Sequence, residues 1–187
     1  EVGLLHALHA YKREPVSALQ LAKEACEVEI ERLKKPVGPQ DQYITALGGI
    51  NYFELDKKGS IKVTPLNLPI NTIAQLQSNL LFFRTGIKHE TAKIHGEGKK
   101  SVEKKDKDSS KFIQMYDDIK ELGQLAKKYL LSGKIDEYGA TLHEHWLIKT
   151  RHSPVTSTKI DEWINEGIKA GALGGKIMGA GGGGWFM

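Results

Sequence analysis

Two stretches of this chain hold residues whose types and spacing could do chemistry. Asp41 follows the break Pro36-Val37-Gly38-Pro39 at the expected start of a helix, where the backbone dipole favours an ionised carboxylate. A charged carboxylate on a rigid turn is suited to orient a hydroxyl nucleophile or take its proton. The same position also suits an ordinary acid in a helical first turn, which is the commoner case. At the other end, Gly171, Gly174, Gly175, Gly179 and Gly181 to Gly184 are interleaved with Leu173, Ile177 and Met178 and followed by Trp185 and Phe186. Glycine this dense implies backbone that turns tightly or approaches another group closely, and phosphate is the usual such group. The apolar residues between the glycines predict strand, tight loop and strand rather than a solvated linker. His143 and His145 do not read as a metal pair, because residues two apart on a helix diverge, whereas zinc pairs sit four apart on one face.

The elements that must position these residues follow from periodicity. Helical spacing predicts helices over residues 2–11, 15–33, 40–47, 89–102, 111–131, 135–149 and 158–169, the last capped by Ser157 or Thr158 and ended by Gly171. Residues 51–55 and 60–65 flank Asp56-Lys57-Lys58-Gly59 as a hairpin, and 80–83 reads as a short buried strand. Pro65 and Pro69 interrupt the pattern over 67–76, which divides the chain into domains 1–70 and 71–187. Strands and helices mixed without regular alternation make the fold class α+β.

Composition narrows the function classes. With 40% hydrophobic and 27% charged residues the chain is an ordinary globular one, and without an apolar run of membrane-spanning length or a signal-peptide pattern it is expected to be cytoplasmic and off the membrane. Cys26 is the single cysteine, so it has no disulfide partner within the chain, and its helical setting makes it a small hydrophobe. The net charge of +4 comes largely from Lys99, Lys100, Lys104, Lys105, Lys107 and Lys111. Glu103, Asp106 and Asp108 dilute that run, so a solvated face is expected and nucleic acid is not. The first methionine is Met115 and the chain opens inside an apolar periodic pattern, which reads as part of a longer protein.

The segment Pro36-Val37-Gly38-Pro39-Gln40-Asp41-Gln42-Tyr43, then Gly48-Gly49, Phe82-Phe83-Arg84-Thr85-Gly86, Leu142-His143-Glu144-His145-Trp146 and the run from Gly174 to Gly184 resemble, in this order, the GHMP family of small-molecule kinases. Within it they are most similar to the D-glycero-D-manno-heptose 7-phosphate kinases. The resemblance implies a two-lobed GHMP kinase fold: the end of an S5-like N-terminal lobe, a ferredoxin-like C-terminal lobe, and an active site between them. It implies ATP-dependent phosphorylation of a sugar hydroxyl, the anomeric one of a heptose 7-phosphate, with ATP and Mg2+ as cofactors. Asp41 matches the catalytic aspartate. Gly179, Gly181, Gly182 and Gly183 fall beside the nucleotide phosphates, and Gly182 also beside the substrate. Gly38, Gln40, Tyr43, Arg84, Thr85, His145 and Lys149 fall at the sugar or sugar phosphate, for whose own phosphate Lys88 and Arg151 are further candidates. Glu29 takes the place of a magnesium-binding glutamate, although an acid paired with Arg32 or Lys35 would look the same.

The substrate-binding motif and the Gly-Leu-Gly-Ser-Ser phosphate loop of the family do not occur in these residues, so residues 1–187 alone are expected to be inactive. An L-fucokinase or galactokinase activity is the alternative within the class. A non-catalytic sugar-binding regulator on the same scaffold, and a basic interaction module, are alternatives outside it.

Overall fold

The computed structural model describes residues 1–35, 37–56, 59–87, 109–152, 158–179 and 183–187. The chain divides into two units, Glu1–Asn67 and Leu68–Met187.

In the first unit, α1 (Val2–Lys12) ends where Arg13 turns left-handed, at φ 60°. Ser17 then caps α2 (Ala18–Cys26), its hydroxyl accepting the Gln20 N–H at 3.2 Å. Val2, Leu21 and Ala25 are the buried contacts of this pair, with Leu5, Val16 and Ala46 packed against them. The helix expected over 15–33 is not uniform. After Cys26 it widens into a π-helical turn, Glu27–Arg32, in which the Leu33 N–H reaches back five residues to the Val28 carbonyl at 2.9 Å. A widened turn shifts every later side chain around the axis, and such turns recur at functional sites.

Helix α3 (Gln40–Leu47) starts at Pro39 and stops at Gly48, φ 67°. The expected hairpin follows as β1 (Asn51–Leu55) and β2 (Ile61–Pro65), antiparallel with Asn51 opposite Pro65 and Leu55 opposite Ile61. Asp56 closes the turn by accepting the Ser60 N–H at 2.8 Å.

The second unit opens with a helix that the prolines had concealed. Where the prolines interrupt the pattern over 67–76, α4 (Ile70–Asn79) runs directly from Pro69. Proline breaks a helix interior but suits a helix start, where its missing N–H has no partner to lose. The strand expected over 80–83 is displaced to β3 (Phe83–Arg84). Helix α5 (Ser109–Leu131) turns through Gly133, φ 68°, into α6 (Ile135–His152), and α7 (Thr158–Lys169) ends in bonds from Gly171 N–H to Ile168 O and Ala172 N–H to Gly167 O, with Gly171 at φ 101°. The helix expected over 89–102, the Ser157 or Thr158 cap and most of the lysine run lie outside the described residues and side chains.

Of the strand, loop and strand expected at the glycine-rich end, the second strand forms as β4 (Trp185–Phe186), the first is reduced to an isolated bridge at Ile177, and residues 180–182 lie outside the described residues. Met178 N–H donates to Trp185 O, and Lys176 and Met187 exchange both backbone bonds at 2.9 and 3.0 Å. On the other edge of β4 (Trp185–Phe186), Phe83 opposes Phe186 and Arg84 opposes Trp185, antiparallel. Trp146, Ile160, Ile164 and Ile177 form the core beneath, with Phe186 stacked between Phe83 and Trp163 at 5.0 and 6.3 Å.

Candidate active site

In the first unit the Gly38-Pro39 turn delivers Asp41 to the first turn of α3. Its carboxylate is exposed and meets no hydrogen-bond or ion-pair partner among the described residues, while its backbone carbonyl accepts the Thr45 hydroxyl at 2.6 Å. Gln40 is exposed beside it, and a Cβ at Gly38 would strike the Gln40 side-chain oxygen. Tyr43 points the other way: it is buried and meets Phe53 edge-on, with ring centroids 6.4 Å apart.

Glu29 is drawn to the same helix. One of its oxygens takes the Lys35 ammonium at 2.7 Å, and the other accepts from the amide of Gln42, the buried neighbour of Asp41. Lys35 first, and Gln42 second, hold its carboxyl below the usual carboxylate range. Among the nearby acids, Glu24 bonds to His9 and Gln20 and Glu27 to Arg32. Periodicity could not select Glu29, because the π-helical turn decides which acid faces α3. Cys26 lies close by, its thiol 3.9 Å from the Pro39 carbonyl and held protonated by burial.

In the second unit the predicted residues gather around the glycine segment. Thr85 is buried, and its hydroxyl donates to Gly184 O at 2.9 Å while accepting the Ile87 N–H at 3.1 Å. Thr85 therefore fastens the exit of the glycine loop. Gly183 has φ 152°, and a Cβ there would sit 2.5 Å from the Ile87 carbonyl, so this position requires glycine. Arg84 is exposed on β3 and lines a largely apolar cavity of about 940 Å3, together with Leu76, Phe83, Tyr138, Leu142 and Trp163. Arg151 lies 3.8 Å from Glu144. Lys88, Gly181 and Gly182 lie outside the described residues.

Helix α6 presents His145 and, one turn later, Lys149, whose ammonium donates to Gly179 O at 3.0 Å. Burial, then the charges of Lys176 and Lys149, lower the His145 pKa to about 3, and its Nδ1 has no hydrogen-bond partner among the described residues. A histidine that resists protonation only when folded costs stability in acid, because the unfolded chain binds the proton first. Its contribution is whole above the ordinary value of 6.5 and is lost as pH falls toward about 3. We predict that His145→Gln flattens the fall of melting temperature between pH 7 and pH 4. An unchanged acid slope in that variant would contradict the assignment.

Sequence reasoning passed over Lys176. It is the one charged side chain between Gly174 and Gly184, and that was the available signal.

Residues 126–186 match the family model described as GHMP kinases C terminal. This part of the chain is a GHMP kinase C-terminal domain. The chain is also 28% identical over its whole length to the D-glycero-alpha-D-manno-heptose 7-phosphate kinase of Campylobacter jejuni, and covers 54% of it. Among solved structures, a D-glycero-D-manno-heptose 1-phosphate kinase from Bacteriodes thetaiotaomicron matches 99% of this chain with 48% of its own, at 24% identity and a TM-score of 0.65. The mevalonate kinase of L. major in complex with R-mevalonate matches at 18% identity and a TM-score of 0.74, over 99% of this chain and 53% of that one. These structural likenesses establish the GHMP kinase fold, in mixed helices and strands as the sequence predicts. The chain spans about half the length of the relatives it matches. No described helix of the chain is long and apolar enough to cross a membrane.

Proposed function

We propose that this chain serves an ATP-dependent sugar kinase whose acceptor is the anomeric hydroxyl of D-glycero-D-manno-heptose 7-phosphate, giving a 1,7-bisphosphate. The observation that carries the reading is the exposed, unengaged carboxylate of Asp41 at the head of α3, in a chain similar over its full length to a heptose 7-phosphate kinase. Asp41 orients the sugar hydroxyl and takes its proton as the oxygen attacks the terminal phosphorus of ATP. Bound Mg-ATP supplies the phosphoryl group and the cation that neutralises it. Phosphoryl transfer asks the protein mainly for position and charge, so a single well-placed carboxylate can serve the acceptor hydroxyl.

Gly179, Gly181, Gly182 and Gly183 serve the nucleotide phosphates, since a residue without a side chain lets a bound group approach the main chain, and Thr85 ties the chain at Gly184. Gly38, Gln40 and Tyr43 serve the sugar through the turn and helix that hold Asp41, with Tyr43 as the packed support. His145 and Lys149 border the sugar site, and Arg84 serves the phosphate of the sugar. Glu29 fits a magnesium ion chemically, because Mg2+ takes one or two carboxylates beside phosphate oxygens and waters. Lys35, half-exposed, is the partner that would yield its place. No group of three or more acids, histidines or cysteines gathers among the described residues, so phosphate oxygens would furnish most of the ligands.

Turnover of the full-length protein with ATP and heptose 7-phosphate, L-fucose or D-galactose tests the substrate. We expect kcat/KM for the heptose phosphate to exceed the others by about tenfold or more, since a site built for a phosphate is left with unpaired cations by a neutral sugar. Turnover of fucose or galactose but not of the heptose phosphate would decide for the alternative kinases. Sugar binding without turnover of any acceptor would decide for a regulator.

A further inference from the structure

The approach of the glycine segment to α6 brings a second lysine, Lys176, alongside the part of the helix that carries Lys149. Gly174 lies against Gly139 and His143, a Cβ there falling 3.0 Å from both His143 Cβ and N. Ile177 enters the core with Trp146, and Gly179 accepts from Lys149. Residues 174–179 therefore run along α6 in its own direction, with Lys176 beside the turn that carries His145 and Lys149. The backbone of Lys176 is pinned to Met187 by bonds in both directions, whereas its ammonium has no hydrogen-bond or ion-pair partner among the described residues. Burial, then the charge of Lys149, lowers the Lys176 pKa to about 8. A doubly charged anion beside two neighbouring lysines favours the charged form of both and forms charge-assisted hydrogen bonds with them.

We propose that Lys176 and Lys149 together receive a terminal phosphate group beside Gly179, with the imidazole of His145 next to them as a hydrogen-bonding group. This rests on the kinase reading, and the phosphate belongs either to the sugar phosphate or to the nucleotide. Lys176 is a binding residue in this account, since no step of the transfer passes through it.

Calorimetric binding to the full-length protein separates the sources. The ligands are D-glycero-D-manno-heptose 7-phosphate and a non-hydrolysable ATP analogue, and the proteins are wild type, Lys176→Met and Lys176→Arg. We expect Lys176→Met to weaken one of the two ligands by about tenfold or more, on the scale of a lost charge-assisted hydrogen bond, and to leave the other within about twofold. Lys176→Arg should restore most of the loss. Weakening of the heptose phosphate assigns the site to the sugar, and weakening of the analogue to ATP.

The Met variant should also melt at or above the wild-type temperature, because a buried charge has been removed, and a merely structural lysine would move the melting temperature the other way. Unchanged binding of both ligands by a folded Met variant would overturn the proposal and leave the kinase reading standing. So would equal loss of both ligands with a lowered melting temperature and no rescue by arginine. Wild-type protein that binds neither ligand would overturn the kinase reading and this proposal with it.

Discussion

Asp41→Asn in the full-length protein is expected to lower turnover by roughly 10²-fold or more, the scale of a general base. The amide keeps the size and polarity of the side chain and removes only its charge and its basicity. Because the carboxylate is exposed and engages no described partner, the fold loses only its favourable interaction with the α3 dipole, about 0.3–1 kcal/mol. The pairing of a large kinetic loss with a small stability change separates a base from a structural acid. Comparison of kcat with the urea midpoint of both proteins reads the two effects at once. Near-normal turnover would remove Asp41 from the mechanism, and a large drop in the midpoint would make it a structural group.

The largest stability effect is expected at Gly174. A methyl group there lands on the Gly139 carbonyl oxygen and within 3.0 Å of the His143 backbone nitrogen. Both are main-chain atoms of α6, so neither can swing aside as a flexible side chain could. Gly174→Ala should cost about 1–3 kcal/mol, the scale of overpacking in a filled interior, and should displace the residues that lead to Lys176 and Gly179. Gly123→Ala in α5 is the matched control, since a Cβ there meets nothing within 4 Å. It should stabilise by about 0.5–1 kcal/mol through reduced unfolded-state freedom. Denaturant midpoints that move the same way in the two variants would contradict the packing of residues 174–179 on α6.

Local chemistry made much of this legible in the sequence. The hairpin of β1 and β2, the start of α3 after Pro39 and the paired strands around the terminal glycines each have a signal within a few residues. Two of the elements that differ from expectation were decided by something other than composition. Pro69 initiates α4 instead of breaking a pattern, and only backbone geometry distinguishes those roles. The π-helical turn after Cys26 depends on which carbonyl the Leu33 N–H selects, a choice that apolar spacing does not encode.

The candidate site divides in the same way. Asp41 and the glycines announce themselves by type and neighbours, whereas the bond of Gln42 to Glu29 and that of Thr85 to Gly184 join residues distant in sequence. Lys176 is the clearest case. Its meaning comes from Lys149 and His145 on another element, and a lone lysine in a glycine run carries no such information by itself.

The most direct test of the central claim is the position of the new phosphate. Full-length protein incubated with Mg-ATP and D-glycero-D-manno-heptose 7-phosphate, followed by phosphorus NMR, should show ADP and a second sugar phosphate resonance coupled to the anomeric proton, growing roughly 10²-fold or more slowly with Asp41→Asn. A product phosphorylated at another hydroxyl, or no product from protein that binds both substrates, would contradict it.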